Sequence, residues 1–430
     1  MAHDAQHYNL DQKFVLTAAT KKSILTVLGI GAVLLVIGIL MGIFGGHAEE
    51  GAEAAAHPFH WYERLYANLW INNVYFTGIA IIGVFFFAIQ YAAQAGWSAP
   101  IVRVMLSFGN WLPYAAVLMI ATFFIANHSL FHWTHSALFV EGGAEYDKII
   151  DGKGAFFYWP MAKGTFPVFY IFRMVLFFGF WVFFFNKLKS LSYAEDSLGG
   201  STSWYKIRSM SAFFIIFFAV SSSIAAWDWV MSIDTHWFST LFGWYVFSSW
   251  FVAGLSAMTL LTIFLKGEGY LEMVNENHIH DLGKFVFGFT IFWTYLWFSQ
   301  FLLIYYANIP EESVYFIERL SSDVYGPFIF VNIAMNFVLP FLVLMTRDAK
   351  RHGVFLKLVC SLIIAGHWVD FFLMVQPGTL GHNGGVGFME IGMFLVYGSA
   401  MALVVLGGLA KGNLIPKNHP MLEESYHHHI

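Results

Sequence analysis

The chain is a succession of long apolar runs joined by short polar segments. Ten runs stand out, at about 23–44, 70–92, 101–127, 165–186, 209–231, 239–265, 282–307, 326–346, 354–375 and 386–410. A helix rises about 1.5 Å per residue, so each run is long enough to cross a hydrocarbon core of about 30 Å. In lipid such a run is helical, because a helix satisfies its own backbone hydrogen bonds. The pattern predicts an all-α, polytopic membrane protein of about ten transmembrane helices. Residues 1–22 form a polar leading segment, 23–410 one transmembrane domain and 411–430 a polar tail. Pro113 and Pro340 fall inside the third and eighth runs and predict kinks. Gly38-Ile-Leu-Met-Gly42 offers a small-xxx-small face for close helix packing. The longest polar stretch, about 128–164, reads as a Gly-rich acidic loop, and no stretch is long enough for a separate soluble domain.

Charge sets the expected orientation. If the runs alternate in direction, only Arg64, Lys148, Lys153, Lys163 and Arg319 lie on the side opposite the N-terminus, and Arg173 lies within the fourth run. The remaining Lys and Arg share the side of the termini, so the positive-inside rule places both termini in the cytoplasm. The first twenty residues carry Asp4, Asp11 and Lys13 and no apolar stretch, so no cleavable signal is expected.

Composition narrows the chemistry. Of 430 residues, 58% are hydrophobic and 11% charged, against about 25% charged in soluble domains. No basic stripe suggests nucleic acid. The single cysteine, Cys360, excludes a disulfide framework, an all-cysteine zinc site and a protein-ligated iron–sulfur cluster. The terminal His427, His428 and His429 are assigned no role. No metal or cofactor site of the chain's own is expected.

The informative residues are the ionisable ones in hydrocarbon, where each charge costs several kcal/mol. Arg173 lies about 12 Å into the fourth helix. Asp228 stands near the outer end of the fifth, within Trp227-Asp-Trp229, with Asp234 and His236 just beyond. His367 and Asp370 occupy the outer half of the ninth helix, and Glu390 the first turns of the tenth. His128, His132 and His135, spaced i, i+4, i+7, would share one face if the third helix continues. All these groups fall in one half of the membrane. The other half offers Lys284, Tyr295 and the asparagines Asn332 and Asn336. Arg173 is the natural counter-ion for Asp228 or Asp370, and clustered His and carboxylates can pass protons. Each group also has a structural reading, as a buried tie, a helix-end residue or a wet interfacial side chain.

The segment Trp227-Asp-Trp-Val-Met-Ser-Ile-Asp-Thr-His-Trp237, the His128/His132 run and His367-Trp-Val-Asp370 together resemble the NrfD/PsrC-like membrane subunits of bacterial alternative complex III, in particular those of the ActF type. The resemblance extends over about residues 20–410. It implies two four-helix bundles, helices 2–5 (about 70–231) and 6–9 (about 239–375), flanked by helices 1 and 10. It also implies a place in the bacterial inner membrane, in a quinol:electron-acceptor oxidoreductase that hands electrons from menaquinol or another quinol to iron–sulfur and haem c subunits, beside a paralogous NrfD-like subunit. This chain would then be a subunit without a redox centre, and whether it is itself catalytic stays open. Its outer cluster would conduct protons through Arg173, Asp228, His367, Asp370 and Glu390, with His128, His132, Asp234 and His236 at the exit. Three readings compete: a quinol slot in the same place, walled by Trp227, Trp229 and Trp368; a stand-alone secondary transporter; and a structural anchor.

Overall fold

The computed structural model describes residues 8–45, 59–198 and 200–428. Among these residues, ten helices are long and apolar enough to span a membrane: α1 (Ala18–Phe44), α2 (Trp61–Ala92), α3 (Ala99–Leu130), α4 (Val168–Leu198), α5 (Thr202–Ile233), α6 (Phe242–Gly267), α7 (Glu276–Ala307), α8 (Gly326–Leu344), α9 (Gly353–Asn383) and α10 (Phe388–Leu409). Among the described residues there is no strand, only an isolated bridge between Lys13 and Asn413. Several helices outrun the apolar pattern. Hydropathy marks only the part in hydrocarbon, whereas backbone hydrogen bonding carries the helix on into the interface. Thus α2 starts at Trp61 and includes Arg64 and Asn68, and α4 continues to Leu198.

α2 packs on α3, α3 on α4 and α4 on α5, and α5 closes back on α2. The second bundle repeats this arrangement with α6, α7, α8 and α9. The bundles meet along α2, which also touches α6, α9 and α10, so α2 is buried on nearly every side. Lipid tails are as apolar as leucine, so close van der Waals fit holds such helices together. A Cβ on Gly78 of α2 would lie 1.9 Å from the Trp250 ring of α6. α1 lies outside both bundles against α10, where a Cβ on Gly392 would come within 2.4 Å of the Leu35 backbone nitrogen. Gly38 makes the same kind of contact with Met389, so the glycine pair of α1 meets α10 at its first member.

Both expected kinks have visible causes. α3 breaks into a 3-10 turn at Phe108–Trp111, just before the segment that opens with Pro113 near its start. α8 widens into a π-turn at Ala334–Val338, immediately ahead of Pro340. The proline ring displaces the carbonyl one turn earlier, so the irregularity precedes the proline.

The 128–164 segment departs from the loop expected. It contains an amphipathic helix, Lys148–Tyr158, capped by the Asp147 carboxylate on the Ile149 and Ile150 N–H groups. The third helix does not carry His128, His132 and His135 on one face: it ends at Leu130, Phe131 is extended, and His132–Thr134 is a 3-10 turn. At the opposite face the two terminal segments join, with the Leu414 N–H donating to Gln12 O at 3.0 Å. The tail is packed rather than free. Arg103 grips Asp196 and the Asn413 carbonyl, Ser425 meets the His278 ring at 2.8 Å, and His428 reaches Asp281 at 2.7 Å. His429 and residues 1–7 lie outside the described residues.

Candidate functional site

The ionisable residues do not form one cluster. They divide into separate groups, each set by which helices face each other.

In the first bundle, Arg173 of α4 clamps Asp228 of α5 with two parallel bonds, Nε to Oδ2 at 2.7 Å and Nη2 to Oδ1 at 2.8 Å. Its remaining nitrogen donates to the Phe156 carbonyl at 2.7 Å, and the guanidinium lies 4.0 Å from the Phe156 ring and 4.6 Å from that of Phe169. Phe156 belongs to the Lys148–Tyr158 helix, so this closed, bidentate pair also fastens that helix to the bundle. Arg173 is thus the counter-ion of Asp228 and makes no bond to Asp370.

In the second bundle all four helices converge on Asp370 of α9. Its Oδ1 accepts from the Tyr245 hydroxyl of α6 and from Asn332 Nδ2 of α8 at 2.9 Å, and its Oδ2 accepts from Trp293 Nε1 of α7 at 2.9 Å. Every one of these donors is neutral. His367, one turn earlier, stands 3.9 Å away and bonds Ser249 through Nδ1 at 2.9 Å; its Nε2 has no hydrogen-bond partner among the described residues. Asn332 therefore belongs to the half that holds Asp370 and not to the half nearer the termini, because α8 begins on the side opposite the termini and reaches Asn332 within two turns. Its partner Asn336 follows one turn on, donating to Asn332 at 2.5 Å.

A cavity of about 30 Å³ adjoins Asp370, lined also by Tyr245, Asn332, Gln300, Trp237 and Arg319. That is room for roughly two waters. Two polar routes leave it. Gln300 accepts from the half-buried Ser239, in the loop between α5 and α6, at 2.9 Å. Arg319, on the short helix Pro310–Leu320 between α7 and α8, donates to Asp234 at 2.7 Å and to the Leu373 carbonyl at 2.9 Å, and stacks on Tyr315. Burial works against the Arg319 charge, but Tyr315 and Asp234 more than offset it and raise its pKa above the ordinary value. Asp234 thereby holds Arg319, which lines the cavity.

Glu390 lies apart from Asp370, in the contact between α10 and α2. Arg64 donates to both its oxygens, at 2.6 and 2.8 Å, and Asn68 donates at 2.7 Å. Glu390 also caps its own helix by accepting from the Gly387 N–H at 2.7 Å. The polar line continues down α2: Trp368 donates to Asn72 at 3.2 Å, and Asn73 joins Tyr397 and Thr122. The proposed wall tryptophans are dispersed as well. Trp229 stacks on Phe178 inside the first bundle, and Trp368 packs on Phe372 and Phe394.

On the surface opposite the termini, folding of the turn brings the histidine rings together although the helix has ended. His135 lies 5.5 Å from His128 and 5.8 Å from His132, ring centre to ring centre. His236 meets Asp147 at 2.5 Å. Burial disfavours the Asp147 carboxylate, but the Ile150 and Ile149 N–H groups and His236 outweigh it and hold its pKa below the usual range.

Sequence reasoning missed Tyr245, Trp293, Arg319, Arg64 and Asn68. The first two are lost among the aromatics that make up 20% of the chain. Arg64 and Arg319 were counted as loop charges because they precede or lie between the apolar runs. The acidic start and amphipathic pattern of Pro310–Leu320 were the available signal for Arg319.

No protein-family model matches the chain, and no curated protein shows significant similarity to it. The fold itself defines the class: a polytopic, all-helical membrane protein, with ten helices among the described residues long and apolar enough to span.

Proposed function

We propose that this chain is a proton-relay and scaffold subunit of a quinol-oxidising respiratory assembly of the alternative complex III kind, seated in the bacterial inner membrane beside electron-carrying partners. The assembly is suggested by the resemblance of Trp227–Trp237 and His367–Asp370 to that family. The relay is carried by one observation: Asp370 is buried, held by neutral donors only, and adjoins a water-sized cavity with polar exits. A carboxylate in that setting gains or loses a proton without leaving a buried guanidinium or ammonium group unpaired. Asp228 has no such freedom, because neutralising it leaves the Arg173 charge buried and unpaired, at a cost of about 3–5 kcal/mol. In this reading His367 and Asn332 position Asp370, the Arg319–Asp234 pair and Gln300–Ser239 form the outward exit, and Arg173–Asp228 is structural.

The cavity's size favours proton transfer over quinol binding at this position. Ligand-holding pockets run to about 300–1,000 Å³, roughly tenfold or more above the 30 Å³ beside Asp370. The test is quinol-oxidation turnover and proton release by the purified assembly carrying Asp370→Asn, with subunit content checked. Loss of both activities in an intact assembly is expected. Unchanged activity refutes the relay, and loss of bound quinone reassigns the site to the quinol.

A further inference from the structure

A second recess lies far from Asp370, towards the face that carries the termini. It measures about 470 Å³ and opens between α1, α10 and the seam of the two bundles, lined by Ile79, Phe108, Leu261, Ile364, Met401 and Leu406 among others. Among the described residues, the only hydrogen-bonding side chains that line it are Thr20 and Ser23, in the first turns of α1. Both are already engaged within α1: Thr20 with the Thr17 hydroxyl at 2.8 Å, and Ser23 with the Ala19 carbonyl at 3.2 Å. Along α10 the lining runs from Phe394 to Leu406. At about 1.5 Å per residue that is about 18 Å, close to the half-thickness of a hydrocarbon core of about 30 Å.

We propose that this recess holds one acyl chain of an anionic phospholipid from the leaflet on the termini side, with the phosphate beside Lys21 and Lys22. The dimensions select the occupant. A hydrocarbon chain at van der Waals spacing of roughly 4–5 Å fills on the order of 400 Å³ over that length. A transmembrane helix about 10 Å across needs on the order of 1,400 Å³. Chemistry selects against a quinol, whose oxygens on opposite sides of the ring each require a hydrogen-bond partner, because Thr20 and Ser23 stand together at one end and the rest of the lining is apolar. An acyl chain needs none. Lys21 and Lys22 are exposed on the same turn of α1 as Thr20 and Ser23, which places positive charge where a lipid phosphate would lie. The chain would fill the space that α1 and α10, packed tightly on each other, leave against the two bundles.

The protein is placed in bilayers of phosphatidylcholine and phosphatidylglycerol in which the phosphatidylglycerol carries a photoactivatable group within one chain. After irradiation, the adducts are mapped by mass spectrometry. Adducts concentrated on 257–264 and 398–406 are expected. They should fall severalfold in Ala402→Phe, which fills the recess. They should fall likewise in the double variant Lys21→Gln/Lys22→Gln, which leaves the recess wall untouched and guards against a folding defect. Labelling no denser there than at outward-facing positions such as Phe213 and Ile216, labelling indifferent to both variants, or recovery of a quinone or a second polypeptide from the recess would each overturn the proposal.

Discussion

Replacing Asp228 and Asp370 separately by asparagine tests the distinction between the two bundles. Both side chains are buried, and the substitution keeps their shape. In Asp228→Asn the Arg173 guanidinium, 8% exposed, keeps the Phe156 carbonyl but loses its counter-charge. Breaking one side of a buried pair costs about 3–5 kcal/mol. In Asp370→Asn the amide turns so that its oxygen accepts from the Trp293 N–H and its NH2 group donates to the Tyr245 hydroxyl oxygen, leaving the Asn332 N–H without its acceptor. One unsatisfied buried donor costs about 1–3 kcal/mol. The gap between the variants is therefore about 2 kcal/mol, up to about thirtyfold in the unfolding equilibrium. Removing both members, as Arg173→Met with Asp228→Leu, should recover most of the loss, because an apolar replacement of a buried pair is often neutral or better. Equilibrium unfolding in mixed lipid–detergent micelles, followed by tryptophan fluorescence, reads all four proteins. The reasoning fails if Asp228→Asn costs no more than Asp370→Asn, or if the double variant is as unstable as Asp228→Asn.

The tail should loosen in acid. His419 is buried, and burial, followed by the Arg103 charge, lowers its pKa from 6.5 to about 4. A released tail then takes up its proton first, so docking is fully stable above about pH 6.5, weakens as pH falls towards 4 and changes little below. The shift corresponds to about 3 kcal/mol. Hydrogen exchange across 413–426 should rise through that window, and His419→Phe should flatten the dependence; a flat wild-type profile would refute it. Gly392→Leu should separate α10 from α1, since its Cβ meets backbone that has no room to move; labelling of a Leu35→Cys background by a lipid-permeant maleimide, slow in the parent, should then speed up. Gly78→Ala should destabilise by about 1–3 kcal/mol through overpacking against Trp250, and Trp250→Leu in the same chain should restore part of that loss.

The number of spans and their approximate positions were legible in the sequence alone. Hydrocarbon of fixed thickness admits a continuous apolar stretch only as a helix, so run length translates directly into architecture. The rarity of charge in such stretches also singled out Arg173, Asp228, His367, Asp370 and Glu390 without any structure. Which of these meet was decided by the tertiary fold. Arg173 could have served either aspartate, and the closure of α4 on α5 within one bundle gave it to Asp228. Glu390 lay at the expected end of α10, but α10 faces α2, so its partners are Arg64 and Asn68. The donors around Asp370 come from three other helices, separated from it by 38 to 125 positions. Tyrosine, tryptophan and asparagine become distinctive only when rotation about each helix axis points them at one carboxylate. Hydropathy measures how deep a residue lies along its helix and carries no information about the direction it faces. That direction is set by the packing of glycine against tryptophan and of helix against helix, and it separates a closed ion pair from a carboxylate held by neutral donors.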